Sequence, residues 1–207
     1  MNIKKAKEIT GGLSNPSKMP GYGYNLPAVN CITGSKLCKI EGTVCNRCYA
    51  RKGRYSFHTV QKAMKKRRRA LKHPKWVECM TFLIDHYCED TPYFRFHDSG
   101  DIQNITHLHN IFTICKNLPH INFWLPTLEN QLIKSYFKLN PEETIPENLN
   151  IRLSTPKINY TPSKPVIKTI AKLNTSTSSV STDISLYPKD IICPATLNHT
   201  DCGECRK

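Results

Sequence analysis

The pattern that most constrains this chain begins after Pro92, where short apolar or aromatic runs alternate with stretches of helical periodicity. Tyr93-Phe94-Arg95-Phe96 reads as a strand and Asp98-Ser99-Gly100-Asp101 as the turn that follows it. Ile105, Leu108, Ile111, Phe112 and Cys115 then recur at helical spacing. Ile121-Asn122-Phe123-Trp124-Leu125 is a second strand closed by Pro126, and Leu128, Leu132 and Tyr136 mark the next helix. Leu149-Asn150-Ile151-Arg152-Leu153 is a third strand, residues 166–173 predict another helix, and residues 176–181 a fourth strand. Strands joined by helical crossovers lie parallel. The expected fold class is therefore α/β, as a parallel sheet or an incomplete (β/α) barrel.

In such folds ligands gather at the carboxyl ends of the strands. His97, Asp98, Ser99, Gly100 and Asp101 follow the first strand, Pro126 and Thr127 the second, Ser154 and Thr155 the third. Together they form a set of small polar groups and carboxylates suited to a polar cofactor. Turn chemistry favours the same residue types, so each of them also has a purely structural reading. His97, beside two carboxylates, reads as a ligand, an acid/base group or a hydrogen-bonded structural histidine.

Upstream, residues 56–72 read as a helix with Phe57, Val60, Met64 and Leu71 on one face and basic residues opposite. Pro74 opens a second helix with Trp76, Met80, Leu83, Ile84 and Tyr87 as its apolar stripe. Residues 1–30, rich in Gly, Pro, Ser and Asn, lack periodicity and read as an extended lead-in. A length of 207 residues suits one domain. Its parts are the lead-in, a Cys-rich loop at 31–50, the helix/strand alternation at 54–182 and a C-terminal Cys knuckle at 190–207.

The formal net charge is +14, and no Asp or Glu occurs between Glu41 and Glu78. That gap holds Lys62, Lys65, Lys66, Arg67, Arg68 and Arg69, which point to contact with a polyanion, nucleic acid above all. A merely solvated basic helix face is the alternative. No run of eighteen apolar residues is present, and the opening MNIKKAKEIT lacks the apolar core of a secretion signal. The expectation is no membrane partner and a reducing, cytoplasmic setting. There, ten cysteines are metal ligands and core thiols rather than disulfides.

Cys31, Cys38, Cys45 and Cys48 fall within eighteen residues, in a Cys-dense loop able to wrap one metal centre. Cys45/Cys48 form one CxxC knuckle, and Cys202/Cys205, preceded by Cys193, form another. One four-thiolate site built from both knuckles, or two separate sites, would satisfy this spacing. Zinc and iron–sulfur clusters use the same thiolates, so the metal stays open. Three thiolates on a [4Fe–4S] cluster leave one iron free to hold S-adenosylmethionine, whose radical chemistry belongs to the cofactor. Cys38, Cys45 and Cys48 with the neighbouring Tyr49 suit that arrangement. Cys79, Cys88 and Cys115, on predicted helices without a CxxC partner, read as buried thiols.

Several segments, in order along most of the chain, resemble the phage "gene product 88" family. They are Ser17-Lys18-Met19-Pro20, Asn25-Leu26-Pro27-Ala28, Cys45-Asn46-Arg47-Cys48-Tyr49-Ala50, residues 94–101, Phe123-Trp124-Leu125-Pro126-Thr127, Cys193-Pro194-Ala195 and Cys202-Gly203-Glu204-Cys205. A second resemblance is to radical S-adenosylmethionine proteins. It rests on Cys38, Cys45 and Cys48 in a C-x6-C-x2-C arrangement that ends in Cys-Tyr-Ala. That resemblance implies that Asp98, Ser99, Gly100 and Asp101 contact the methionine amino group and that Ser154 or Thr155 contacts the ribose. It implies a [4Fe–4S] cluster, with a second at the C-terminal cysteines as a further option; joined to the basic charge and the phage resemblance, the expectation is an enzyme acting on nucleic acid or a nucleotide in the host cytoplasm. The alternatives are a non-catalytic nucleic-acid-binding protein with structural zinc or iron–sulfur, and a protein that binds a host factor.

Overall fold

A computed structural model describes residues 1–17, 19, 21–161, 173, 175–183, 185, 187, 192 and 193. The chain opens with α1, Ile3–Thr10, capped by the Asn2 side chain on the Lys5 N–H and ended by Gly11 in the left-handed region. This corrects the extended lead-in. The helix is short, and its fully buried positions, Ala6 and Thr10, are a small and a polar residue among lysines. An apolar stripe is therefore hard to see. Ala6 packs against Cys79 and Leu83 of a later helix, with Ile3 and Ile9 alongside.

The Cys-rich loop contains a helical segment, α2, Ile32–Leu37, followed by 3₁₀ turns at Tyr49–Arg51 and Gly53–Ser56. Two longer helices follow in chain order, α3, His58–Ala70, and α4, Trp76–Tyr87. Helix α4 buries Trp76, Cys79, Met80, Leu83 and Ile84, which is close to the stripe expected from sequence. Helix α3 buries Met64, Arg67 and Ala70, whereas Phe57, expected on the apolar face, is 59% exposed just before its first turn.

Then β1, Tyr93–Arg95, α5, Ile105–Asn117, β2, Asn122–Thr127, α6, Asn130–Leu139, β3, Leu149–Ser154, and β4, Ser176–Ser178, follow in order. The four strands form one parallel sheet in the order β1-β2-β3-β4. Leu149, Ile151 and Leu153 alternate inward on β3, and Phe123 and Leu125 do so on β2. Phe96 stacks on Phe123 at 6.0 Å, with Phe94 edge-on to Phe96 at 4.8 Å. Each such fully buried side chain contributes about 1.5–3 kcal/mol relative to exposure. Cys79, Cys88 and Cys115 are buried, as expected for core thiols.

Among the described residues the sheet is four-stranded and not closed, so the α/β class with a parallel sheet is shown and a barrel is not. Strands β1 and β4 are only three residues long. The outer side of β1 is occupied by residues 22–24, whose Tyr24 N–H donates to Arg95 O at 3.2 Å while Arg95 N–H donates to Tyr22 O at 3.3 Å. The N-terminal segment thus covers an edge that a barrel would pair with another strand. The helix expected at 166–173 lies, apart from Leu173, outside the described residues.

Gly100, in the turn after β1, has φ +84°, and a Cβ there would stand 2.5 Å from Leu26 Cβ and 2.9 Å from Leu26 O. Gly100→Ala is expected to destabilise the protein by about 2–4 kcal/mol, because backbone strain and overpacking act together. Urea denaturation checks this. A loss below about 0.5 kcal/mol, the ordinary surface value, would mean that the Leu26 segment yields freely.

Candidate metal-thiolate site and basic face

The Cys-rich loop is tied to the carboxyl ends of three strands. Beyond β3, Val44 N–H donates to Pro156 O at 3.0 Å and Ile158 N–H donates to Gly42 O at 2.9 Å. Beyond β2, the buried Glu129 carboxylate accepts from Thr33 N–H at 2.8 Å and from the Thr33 hydroxyl at 2.7 Å. That bond satisfies an N–H that the first turn of α2 leaves unpaired. Beyond β1, the Tyr49 hydroxyl donates to Asp98 O. The loop therefore lies over the edge where α/β folds hold ligands.

Within the loop the thiols are not equivalent. Burial pushes the Cys31 thiol well up, with Asp101, Cys48, Cys45 and Glu129 adding to the effect in that order. Burial likewise pushes Cys45 up to about 11, with Cys48, Asp101, Cys38 and Glu129 adding. Cys48, Asp101 and Glu129 therefore act on both thiols. Cys38 adds to the effect at Cys45, and its thiol donates to Ser35 O at 3.1 Å. Gly34 of α2 borders Cys31 and Cys45. A Cβ there would stand 3.4 Å from Cys45 Sγ, 3.6 Å from Cys31 Sγ and 2.9 Å from Cys31 Cβ. The missing side chain leaves a cradle between two sulfurs.

Among the described residues, no three His, Cys, Asp or Glu side chains converge on a single-ion position. Zinc, about 2.3 Å from each sulfur, needs its thiolates nearly in contact. Thiols kept protonated by burial and by nearby carboxylates would have to give up their protons to ligate a cationic centre. Cys193 is exposed, and Cys202 and Cys205 lie outside the described residues.

The residues expected to hold a polar cofactor are engaged with protein groups. The Asp98 carboxylate accepts from Ser14 Oγ at 3.0 Å, Tyr55 OH at 3.0 Å and Asn25 Nδ2 at 3.3 Å. The Ser99 hydroxyl donates to Leu26 O at 2.8 Å. Asp101 accepts from Thr127 Oγ1 at 2.6 Å, Ile102 N–H at 2.8 Å and Leu128 N–H at 2.9 Å. Burial nevertheless raises Asp101 to about 7. Ser154 and Thr155 bond to Ser178 on β4. These groups knit the strand ends to the N-terminal segment and to each other.

His97 is buried, and its Nδ1 bonds to Tyr24 O at 2.5 Å, which assigns the ring proton to Nδ1 because a carbonyl only accepts. Desolvation lowers it to about 4. Sequence reasoning missed its neighbour His107, whose ring lies 5.2 Å away. His107 stands in the first turn of α5 after the Asn104 cap, a position with no sequence pattern linking it to His97.

On α3, Lys62, Lys65, Lys66, Arg68 and Arg69 are exposed, and none forms an ion pair among the described residues. His58, Gln61, Lys62, Lys65 and Arg69 line a shallow hollow on this face. Arg67 departs from the expected basic face. It is buried, donating to Gly12 O at 2.8 Å, to Leu13 O at 2.7 Å and to Asn25 Oδ1. Helical geometry turns it onto the inner stripe with Met64 and Ala70.

The family model described as Gene product 88 matches residues 1–207. The chain belongs to this phage gene-product family. No curated protein and no solved structure matches it. The radical S-adenosylmethionine resemblance finds no support among these comparisons. The family match spans the thiol loop, the basic helix, the sheet and the C-terminal knuckle alike. No helix among the described residues is long and apolar enough to cross a membrane.

Proposed function

We propose that this gene product 88 family protein binds nucleic acid in the host cytoplasm through the exposed face of α3, and that Cys31, Cys45 and Cys48 hold an iron–sulfur cluster beside it. The observation that carries the reading is the face itself: five exposed cations on one helix with no carboxylate paired to them. A solvated face on a protein with no polyanion partner ordinarily interleaves both signs. When bound, a cluster supplies either a cross-link across the loop or electron transfer. The chain's own contribution is the cradle at Gly34 and the bonds that hold the loop to the strand ends.

Affinity for a nucleic-acid backbone is expected to fall steeply with salt. Five phosphate contacts on duplex give a log–log slope of about −4.5, or roughly 500-fold between 50 and 200 mM salt. Replacing Lys62, Lys65, Lys66, Arg68 and Arg69 by Ala should flatten that slope, as read by fluorescence anisotropy with a labelled oligonucleotide. Binding that ignores salt, or that survives the fivefold variant unchanged, would remove the proposal.

A second reading is an enzyme of the radical S-adenosylmethionine type. Cys31, Cys45 and Cys48 as the ligand set would favour it, because three ligands leave one iron of a [4Fe–4S] cluster without a protein thiolate. The strand-end groups argue against it, being engaged with protein partners. Titrating S-adenosylmethionine into anaerobically reconstituted protein separates the two, since the binding-protein reading predicts no complex. Iron analysis bears on the C-terminal knuckle as well: a content near twice that of one cluster would assign a second to Cys193, Cys202 and Cys205, and zinc alone would make the metal structural.

A further inference from the structure

Resting on the nucleic-acid reading, we infer that the partner is a single strand, seated on an aromatic and basic strip that runs from Tyr49 through Phe57 into the basic face of α3. Tyr49 and Phe57 are each 59% exposed. Between them Arg51, Lys52 and Arg54 are exposed, and immediately after them stand His58 and Lys62. Aromatic faces interleaved with cations are what an unpaired strand requires, because its bases stack on rings while its phosphates meet the charges. A duplex offers the same phosphates but keeps its bases stacked inside, so exposed rings contribute nothing to it.

The tyrosines are held in place before any ligand arrives. The Tyr49 hydroxyl donates to the Asp98 carbonyl, and the Tyr55 hydroxyl donates to the Asp98 carboxylate at 3.0 Å. Their rings meet edge-to-face at 5.7 Å. Asp98, itself buried, therefore anchors both rings by their polar ends and leaves the Tyr49 ring turned outward. Fixed rings lose little conformational entropy on stacking. The hollow lined by His58, Gln61, Lys62, Lys65 and Arg69 continues the strip along α3 and is a place for the next phosphates. Charge complementarity and the two exposed rings thus agree on one occupant.

The test uses the full-length, anaerobically purified protein with three labelled probes of equal length: a deoxythymidine homopolymer, a uridine homopolymer and a mixed-sequence duplex. Either homopolymer is expected to bind more tightly than the duplex at the same salt. Phe57→Ala should weaken the single strand roughly 5- to 100-fold and leave the duplex within twofold. Phe57→Trp should retain binding and add a fluorescence signal that the single strand quenches, which a merely structural residue would not show. Phe57 lies on the surface, so both variants should melt with the parent. Equal affinity for strand and duplex, with Phe57→Ala silent, overturns the single-strand inference while leaving the nucleic-acid reading standing. Failure of all three probes to bind overturns both.

Discussion

Serine in place of Cys31, Cys45 or Cys48 is expected to strip most of the iron from anaerobically purified protein, whereas Cys38→Ser should keep nearly all of it. Spacing alone favours Cys38, seven positions before Cys45 in the sequence. Geometry favours Cys31, which faces Cys45 across the Gly34 cradle. Cys38 ends α2 with its thiol turned to the carbonyl of Ser35. A serine oxygen is a poor substitute for thiolate on soft iron, so a true ligand position should show a near-complete loss. Iron and sulfide per chain, with the visible absorption that bleaches on reduction, give the readout. Gly34→Ala supplies an independent check, since its methyl would enter the cradle and should lower cluster content with every thiol intact. Loss of iron in Cys38→Ser equal to that in Cys31→Ser would overturn the assignment.

Arg67→Ala is expected to cost about 3–5 kcal/mol of stability, a large part of what a domain of this size possesses. The guanidinium is buried and reaches two backbone carbonyls, Gly12 O and Leu13 O, together with Asn25 Oδ1. Its removal leaves buried acceptors without donors, at about 1–3 kcal/mol each, and opens a void beside Gly11 and Tyr24. Desolvation lowers its pKa, yet a guanidinium stays charged at any ordinary pH, so the loss should be the same across the neutral range. Arg67→Lys should recover little, because one ammonium cannot serve three acceptors spread over a planar fork. Arg68→Ala and Arg69→Ala, on the exposed face, should change stability by less than about 0.5 kcal/mol. Urea denaturation of the three alanine variants checks this, and equal midpoints would show that the Arg67 network is dispensable. The contrast also fixes how nucleic-acid binding must be probed, since a variant that includes Arg67 would confound unfolding with lost charge.

The elements after Pro92 were legible because their periods differ cleanly: β3 alternates inward and outward at every residue, and α5 returns to the core at helical intervals. Helix α1 was not legible, since Ala6 and Thr10 give a burial stripe without an apolar one. The sheet's closure was beyond a periodicity argument as well. It depends on residues 22–24 lying against β1, a contact about seventy positions away in the chain.

Sequence by itself determined that this is an α/β chain with a thiol-dense loop, a basic helix and a polar set of strand ends, because local period, charge and spacing are properties of neighbours in the chain. Tertiary structure alone decided the roles inside those groups. It turned Arg67 inward and Phe57 outward, set the Cys31 and Cys45 sulfurs on either side of Gly34, set His107 beside His97, and engaged Asp98 in holding two tyrosines. Each of these depends on which distant segment supplies a partner or removes water, and that follows from packing.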